Sequence, residues 1–199
     1  MTTVYNKHDI YRYMSIFGMI GPVLAITLIL ANIMVSPWFS WSRNALSDLG
    51  VNRYGYLFNS AIIVEGLFNI FFVLSLKLLK IRNFTAYALI ISGISLLLVG
   101  VFNEDHPPFH LIFALIYFVL FPVSIIIFSL HLRKVQSLLS YTGLAVSVIS
   151  LIDIIIGIGF VFHYVRIVGV GLSVPEFIEA VLLGSWSVMM SAYVFFKIR

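Results

Sequence analysis

Ser47, Asp48, Glu104, Asp105, His106, His110, His163, Arg166 and Glu176 are side chains that could move a proton, activate a nucleophile or ligate a metal. His106 and His110 stand four apart. If a helix starts early enough to include both, they share one face, a recurrent ligand spacing for zinc or another metal that accepts nitrogen and oxygen donors. Glu104 and His163 could complete such a donor set. A bound metal would lower the pKa of a water and turn it into a nucleophile, and Asp48, Asp105 and His110 would then be the candidate acid–base groups. Each residue also has a plainer use. Ser47 or Asp48 can cap a short interfacial helix that Gly50 ends. Pro107 and Pro108 suit the first turn of a helix, where no N–H is needed, with Asp105 or His106 near its N-cap. Glu176 and Glu179 follow Pro175 and suit the positive end of a helix dipole.

The elements that must position these residues are set by composition. Of 199 residues, 61% are hydrophobic and 10% charged, against about 25% charged in an ordinary soluble domain. Mean hydropathy is +1.09. Twenty charged side chains cannot coat a water-facing surface of this size. A spanning helix needs about 20 mostly apolar residues, and six stretches qualify: about 13–36, 56–78, 84–103, 109–131, 138–163 and 176–196. They are too long for barrel strands and lack strict alternation. Lipid offers the backbone no hydrogen-bond partner, so helices are the solution. The expectation is an all-α, polytopic six-helix bundle, one transmembrane domain over residues 1–199. The first apolar run is over 20 residues long, with no small-x-small cleavage site behind it, and reads as a retained helix rather than a cleaved signal.

Lys and Arg set the expected orientation. Lys7, Arg12, Lys77, Lys80, Arg82, Arg133, Lys134, Lys197 and Arg199 fall at one end of the bundle, and Arg43, Arg53 and Arg166 at the other. Nine against three places both termini in the cytoplasm of a cell membrane. The chemistry-bearing residues then gather at the outer end, where Trp38 and Trp41 read as interfacial anchors. The basic residues form no stripe for nucleic acid. The absence of cysteine excludes disulfides, thiolate metal sites and cysteine nucleophiles.

Two acids lie deeper: Glu65 in the second span and Asp153 in the fifth. Each costs at least about 2.5 kcal/mol if it meets lipid as an ion, so each should face the interior. Asn59, Ser60 and Glu65 suggest a polar stripe, with Asn69 one turn beyond Glu65. That stripe serves either interhelical hydrogen bonding or a proton path. Gly18, Gly21, Gly93, Gly100, Gly157 and Gly159 permit close helix approach.

In order along nearly the whole chain, Ser47-Asp48-Leu49-Gly50, Phe58-Asn59, Gly66-Leu67, Gly100-Val-Phe-Asn-Glu-Asp105 with His110 and Ala114, Pro175-Glu176 and Trp186 resemble the domain of unknown function 998 family of six-helix prokaryotic membrane proteins. The family's pattern usually has proline before the acid and often Glu-Arg in the last motif. Asn103 and Phe177 stand at those places here. The layout is more distantly similar to Frag1-like autophagy-modulator proteins and to ceramidase-like membrane hydrolases, which use Ser, Asp and three His around zinc. The last helix here has no His, which departs from the hydrolase pattern. The resemblance implies a fold and an outward site and carries no activity with it.

Three functions follow as expectations. The first is a membrane protein that binds a lipid, or a partner in a larger membrane complex, through an outward-facing polar cluster, with Ser47, Asn59, Arg166 and Glu176 and the deeper Glu65 and Asp153 as its further polar residues. The second is a metal-dependent lipid hydrolase, with zinc as the cofactor. The third is a small proton-coupled transporter using Glu65 and Asp153, which requires a continuous polar path between them.

Overall fold

A computed structural model describes residues 7–198; Arg199, counted above among the basic residues, lies outside them. Six helical spans are long and apolar enough to cross a membrane. The first is built from α1 (Lys7–Met14) and α2 (Ile16–Met34). The others are α3 (Gly55–Ser75), α4 (Asn83–Val101), α5 (Phe109–Leu132), α6 (Ser137–Val161) and α7 (Ser173–Lys197). Short 3-10 turns occupy Ser47–Val51 and Leu76–Leu79. Among the described residues there is no strand, only an isolated bridge between Ile167 and Val170.

Three boundaries differ clearly from the sequence expectation, each for a local reason. The first span begins at Lys7 rather than near 13 and is interrupted at Ser15, whose hydroxyl and N–H both donate to Arg12 O, at 2.6 and 3.2 Å. Arg12 then donates to Phe195 O (2.7 Å) and lies over the Phe195 ring, placing a cation at the carbonyl end of α7. The fifth span stops at Val161, not at 163. There His163 adopts a left-handed φ of 60°, while Tyr164 and Val165 donate to Gly159 O. The last span starts at Ser173 rather than 176, because Pro175 falls within the first turn, where no helical N–H is used. The fourth span starts at Phe109, as expected, but Pro107 and Pro108, joined by a cis bond, precede it rather than forming its first turn.

The helices close a ring. Each of α2 through α6 packs on the next, α6 on α7, and α7 back on α2. Contact is most extensive between α3 and α4, where Gly66 lets the backbones of Gly93 and Leu97 approach and Gly100 does the same against Asn59 and Ile63. Trp186 of α7, 1% exposed, fills the middle of the ring. Phe72, Phe121 and Phe128 pack on it edge-to-face at 5.8, 5.9 and 6.2 Å, a favoured geometry for aromatic quadrupoles. Outside the ring, α6 presents Val148, Ile149, Ile152, Ile155 and Ile156. These fall on one helical face, and an apolar belt of this kind marks a surface for lipid.

Candidate functional site

The loops at 35–54, 102–108 and 162–172 meet at one end of the ring, and backbone and side-chain hydrogen bonds tie them together. Gly171 N donates to Trp41 O (2.8 Å) and Ser173 N to Asn44 O (2.9 Å). Asn103 joins two loops: its Nδ2 donates to Gly50 O at 3.3 Å, and its Oδ1 accepts from Asp105 N and His106 Nδ1. Asn103 is not among the site residues expected from sequence. Its position, in a polar turn directly after a helix, was the available signal, since Asn side chains stabilise such turns.

Ser47 is the centre of the cluster. Its hydroxyl donates to Glu104 Oε1 at 2.5 Å and lies 3.5 Å from Glu176 Oε1. Glu176 Oε2 accepts from Leu46 N. One loop serine thus brings together acids that are 57 and 129 residues away in sequence. Asp48 sits beside them, but its Oδ2 accepts from Asn44 Nδ2 (2.7 Å) and Ala45 N (3.0 Å). It braces the loop rather than capping the 3-10 turn, which has no side-chain cap bond. Burial raises the Glu104 carboxyl from 4.5 to about 7; Asp48 and Asp105 push the same way and the Ser47 hydroxyl opposes them.

His110 lines the same cavity as Ser47, Glu104 and Glu176, and His106 does not. His110 Nδ1 meets Phe102 O at 2.9 Å. A carbonyl only accepts, so Nδ1 carries the proton and leaves Nε2 as an acceptor in the neutral ring. His106 lies outside α5, exposed, with its Nδ1 on Asn103 Oδ1. The shared helical face expected for His106 and His110 is therefore absent. Both His106 and Pro107 precede a proline, and that position disfavours the α conformation. His163 is exposed at the cavity mouth, and Asp105 is exposed and off the cavity wall. Among the described residues no three His, Asp or Glu side chains group to hold a metal. His106, His110, His163 and Glu104 do not fit the zinc set drawn from sequence.

What the site does form is a cavity of about 790 Å³ bounded by α5, α6, α7 and the loops. Its walls differ in character. Asp48, Glu104, Glu176, Asp153 and Glu179 line the loop and α6–α7 side. Leu111, Ala114, Leu115 and Phe118 line the α5 side. Arg43 and Arg166, both exposed, stand at the mouth. Gly157 was expected to allow close helix packing. Instead it lines the cavity, where an added Cβ would make only ordinary van der Waals contact, with Leu172 at 3.8 Å and Pro175 at 4.0 Å, so no close helix approach depends on it.

Glu65 lines a second, smaller cavity of about 90 Å³ together with Tyr117, and that cavity shares Ser47, His110 and Glu176 with the first. Asp153 lines only the larger one, so the two deep acids do not share a chamber. Glu65 faces Gly21 of α2, and its Oε2 has no partner. Asn69 faces Gly93 of α4, Asn59 donates to Gly50 O, and Ser60 is exposed. These residues point in different directions and form no stripe.

The ring of apolar helices and its polar end define a multi-pass membrane protein with an amphipathic chamber at that end. The family described as "Protein of unknown function (DUF998)" matches residues 19–193, and the chain belongs to it. No curated protein and no solved structure matches the chain.

Proposed function

We propose that this protein binds an amphipathic membrane molecule, a lipid or lipid-like ligand, in the chamber between α5, α6 and α7. The observation that carries the reading is the pairing of an apolar wall with a carboxylate-lined wall in one cavity of about 790 Å³. That volume lies within the usual range of about 300–1,000 Å³ for small-molecule sites. Acyl carbons would lie along Leu111, Leu115 and Phe118. Polar groups would meet Ser47, Glu104, Glu176 and His110. The nine-to-three distribution of basic residues supports an orientation with both termini in the cytoplasm and the chamber opening outward.

The test is lipid extraction and native mass spectrometry of protein purified in mild detergent. A stoichiometric lipid should copurify, and Gly157→Leu, which adds bulk to the chamber wall at a position where a Cβ meets no clash, should displace it without unfolding the protein. Folded wild-type protein that retains no lipid, and takes up none from mixed micelles, would overturn the reading.

A further inference from the structure

Resting on the lipid-binding reading, we propose that Ser150, Asp153 and Glu179 form a subsite at the deep end of the chamber that receives an amine, so that the ligand is a long-chain amphiphile bearing an ammonium group. Glu179 is 2% exposed. Its Oε1 accepts from Ser150 Oγ across the α6–α7 interface, and its Oε2 has no partner while lining the chamber. Asp153 follows Ser150 by three residues, on the same face of α6. It is 9% exposed and lines the same chamber.

Among the described residues no lysine lines the chamber, and the hydrogen bond that Glu179 receives comes from the neutral Ser150 hydroxyl. The two arginines of the chamber stand at its mouth, in the loops, and His110 and His163 also lie toward that end. Glu179 is one turn deeper on α7 than Glu176, about 4.5 Å along the axis. An unpaired carboxylate at this depth is costly, so the pair holds either a proton or a cation brought from outside.

The surroundings favour an ammonium among external cations. A calcium ion takes six to eight oxygen ligands, and the described residues provide no metal-holding group. An ammonium has three N–H donors on a carbon stem. Glu179 Oε2 and the Asp153 carboxylate supply acceptors, and Ile154, Leu115 and Phe118 of the chamber wall supply the apolar surface for the stem.

Dodecylamine and dodecanol, equal in chain length, make the probe pair. Their binding to detergent-purified full-length protein is read by thermal shift and native mass spectrometry. Wild type should bind the amine at least tenfold more tightly than the alcohol. Glu179→Gln and Asp153→Asn should each lose that preference while still binding the alcohol. Either variant suffices if the other does not fold. Equal binding of both probes by wild type overturns the amine subsite and leaves the lipid chamber standing. So does a preference that survives in both variants but disappears in Glu104→Gln, which would seat the amine in the upper cluster. Binding of neither probe would overturn the chamber's lipid-binding role itself.

Discussion

Glu104 gives the chamber a pH-dependent stability that can be separated from that of its other acids. Its carboxyl is raised from 4.5 to about 7, chiefly by burial. The folded protein therefore holds the Glu104 proton more tightly than the unfolded chain does. The resulting stabilisation is complete below about pH 4.5 and is lost as pH rises through about 7. At about 1.4 kcal/mol for each pH unit, the whole displacement would amount to about 3 kcal/mol. Glu104 is partly exposed, and solvent screening reduces this to about 1–2 kcal/mol. For a chain of this size that is a change of about 3–6 °C in Tm. Glu104→Gln mimics the protonated acid: its carbonyl can still accept from Ser47, and its amide can donate to Asp48. Thermal unfolding in detergent at pH 5 and pH 7.5 provides the assay. Wild type should lose stability across this interval relative to the variant, with the two similar at pH 5 and the variant more stable at pH 7.5. Parallel slopes for the two proteins would refute the assignment of this proton to Glu104.

Gly66→Ala should lower Tm by several degrees, because its Cβ would sit 2.5 Å from Leu97 N and 2.6 Å from Gly93 O, and overpacking against backbone costs about 1–3 kcal/mol. Gly157→Ala meets no such contact and should keep or raise Tm, since alanine is the better helix former by up to about 1 kcal/mol; equal losses at the two sites would contradict the packing account. The chain has no cysteine, so single cysteines at Tyr164, 87% exposed, and Val135, 75% exposed, report orientation directly. A membrane-impermeant maleimide added to intact cells should label position 164 and not 135, and the reverse pattern would invert the proposed topology.

The spans were legible because the hydrocarbon thickness imposes a length and excludes charge. The gathering of Ser47, Glu104 and Glu176 at one end was legible for a related reason: each lies beside a span end, and alternating spans bring those ends together. The Ser150–Glu179 contact was not legible. Spans that are apolar nearly all round give little periodicity to say which face turns inward, so the rotation of α6 and α7 had to come from packing. The failure of the His106–His110 face is a different case. Two consecutive X-Pro steps argue against helix before Phe109, and that signal was already in the sequence.

Five of the chain's eight acids line one chamber, and ordinary architecture accounts for only some of them. Asp48 holds a loop through Asn44 and Ala45. Glu176 holds Leu46 N, and Glu104 holds Ser47. Replacing any of these would remove a bond that joins loops or spans, so their presence is explained without a ligand. Glu179 and Asp153 differ. Serine alone could bridge α6 and α7, as small hydroxyl residues do throughout membrane bundles, yet here a carboxyl is added whose second oxygen bonds nothing, with another acid beside it. A group that is costly to bury and does not complete the fold is better explained by something that enters the chamber than by the helices that enclose it.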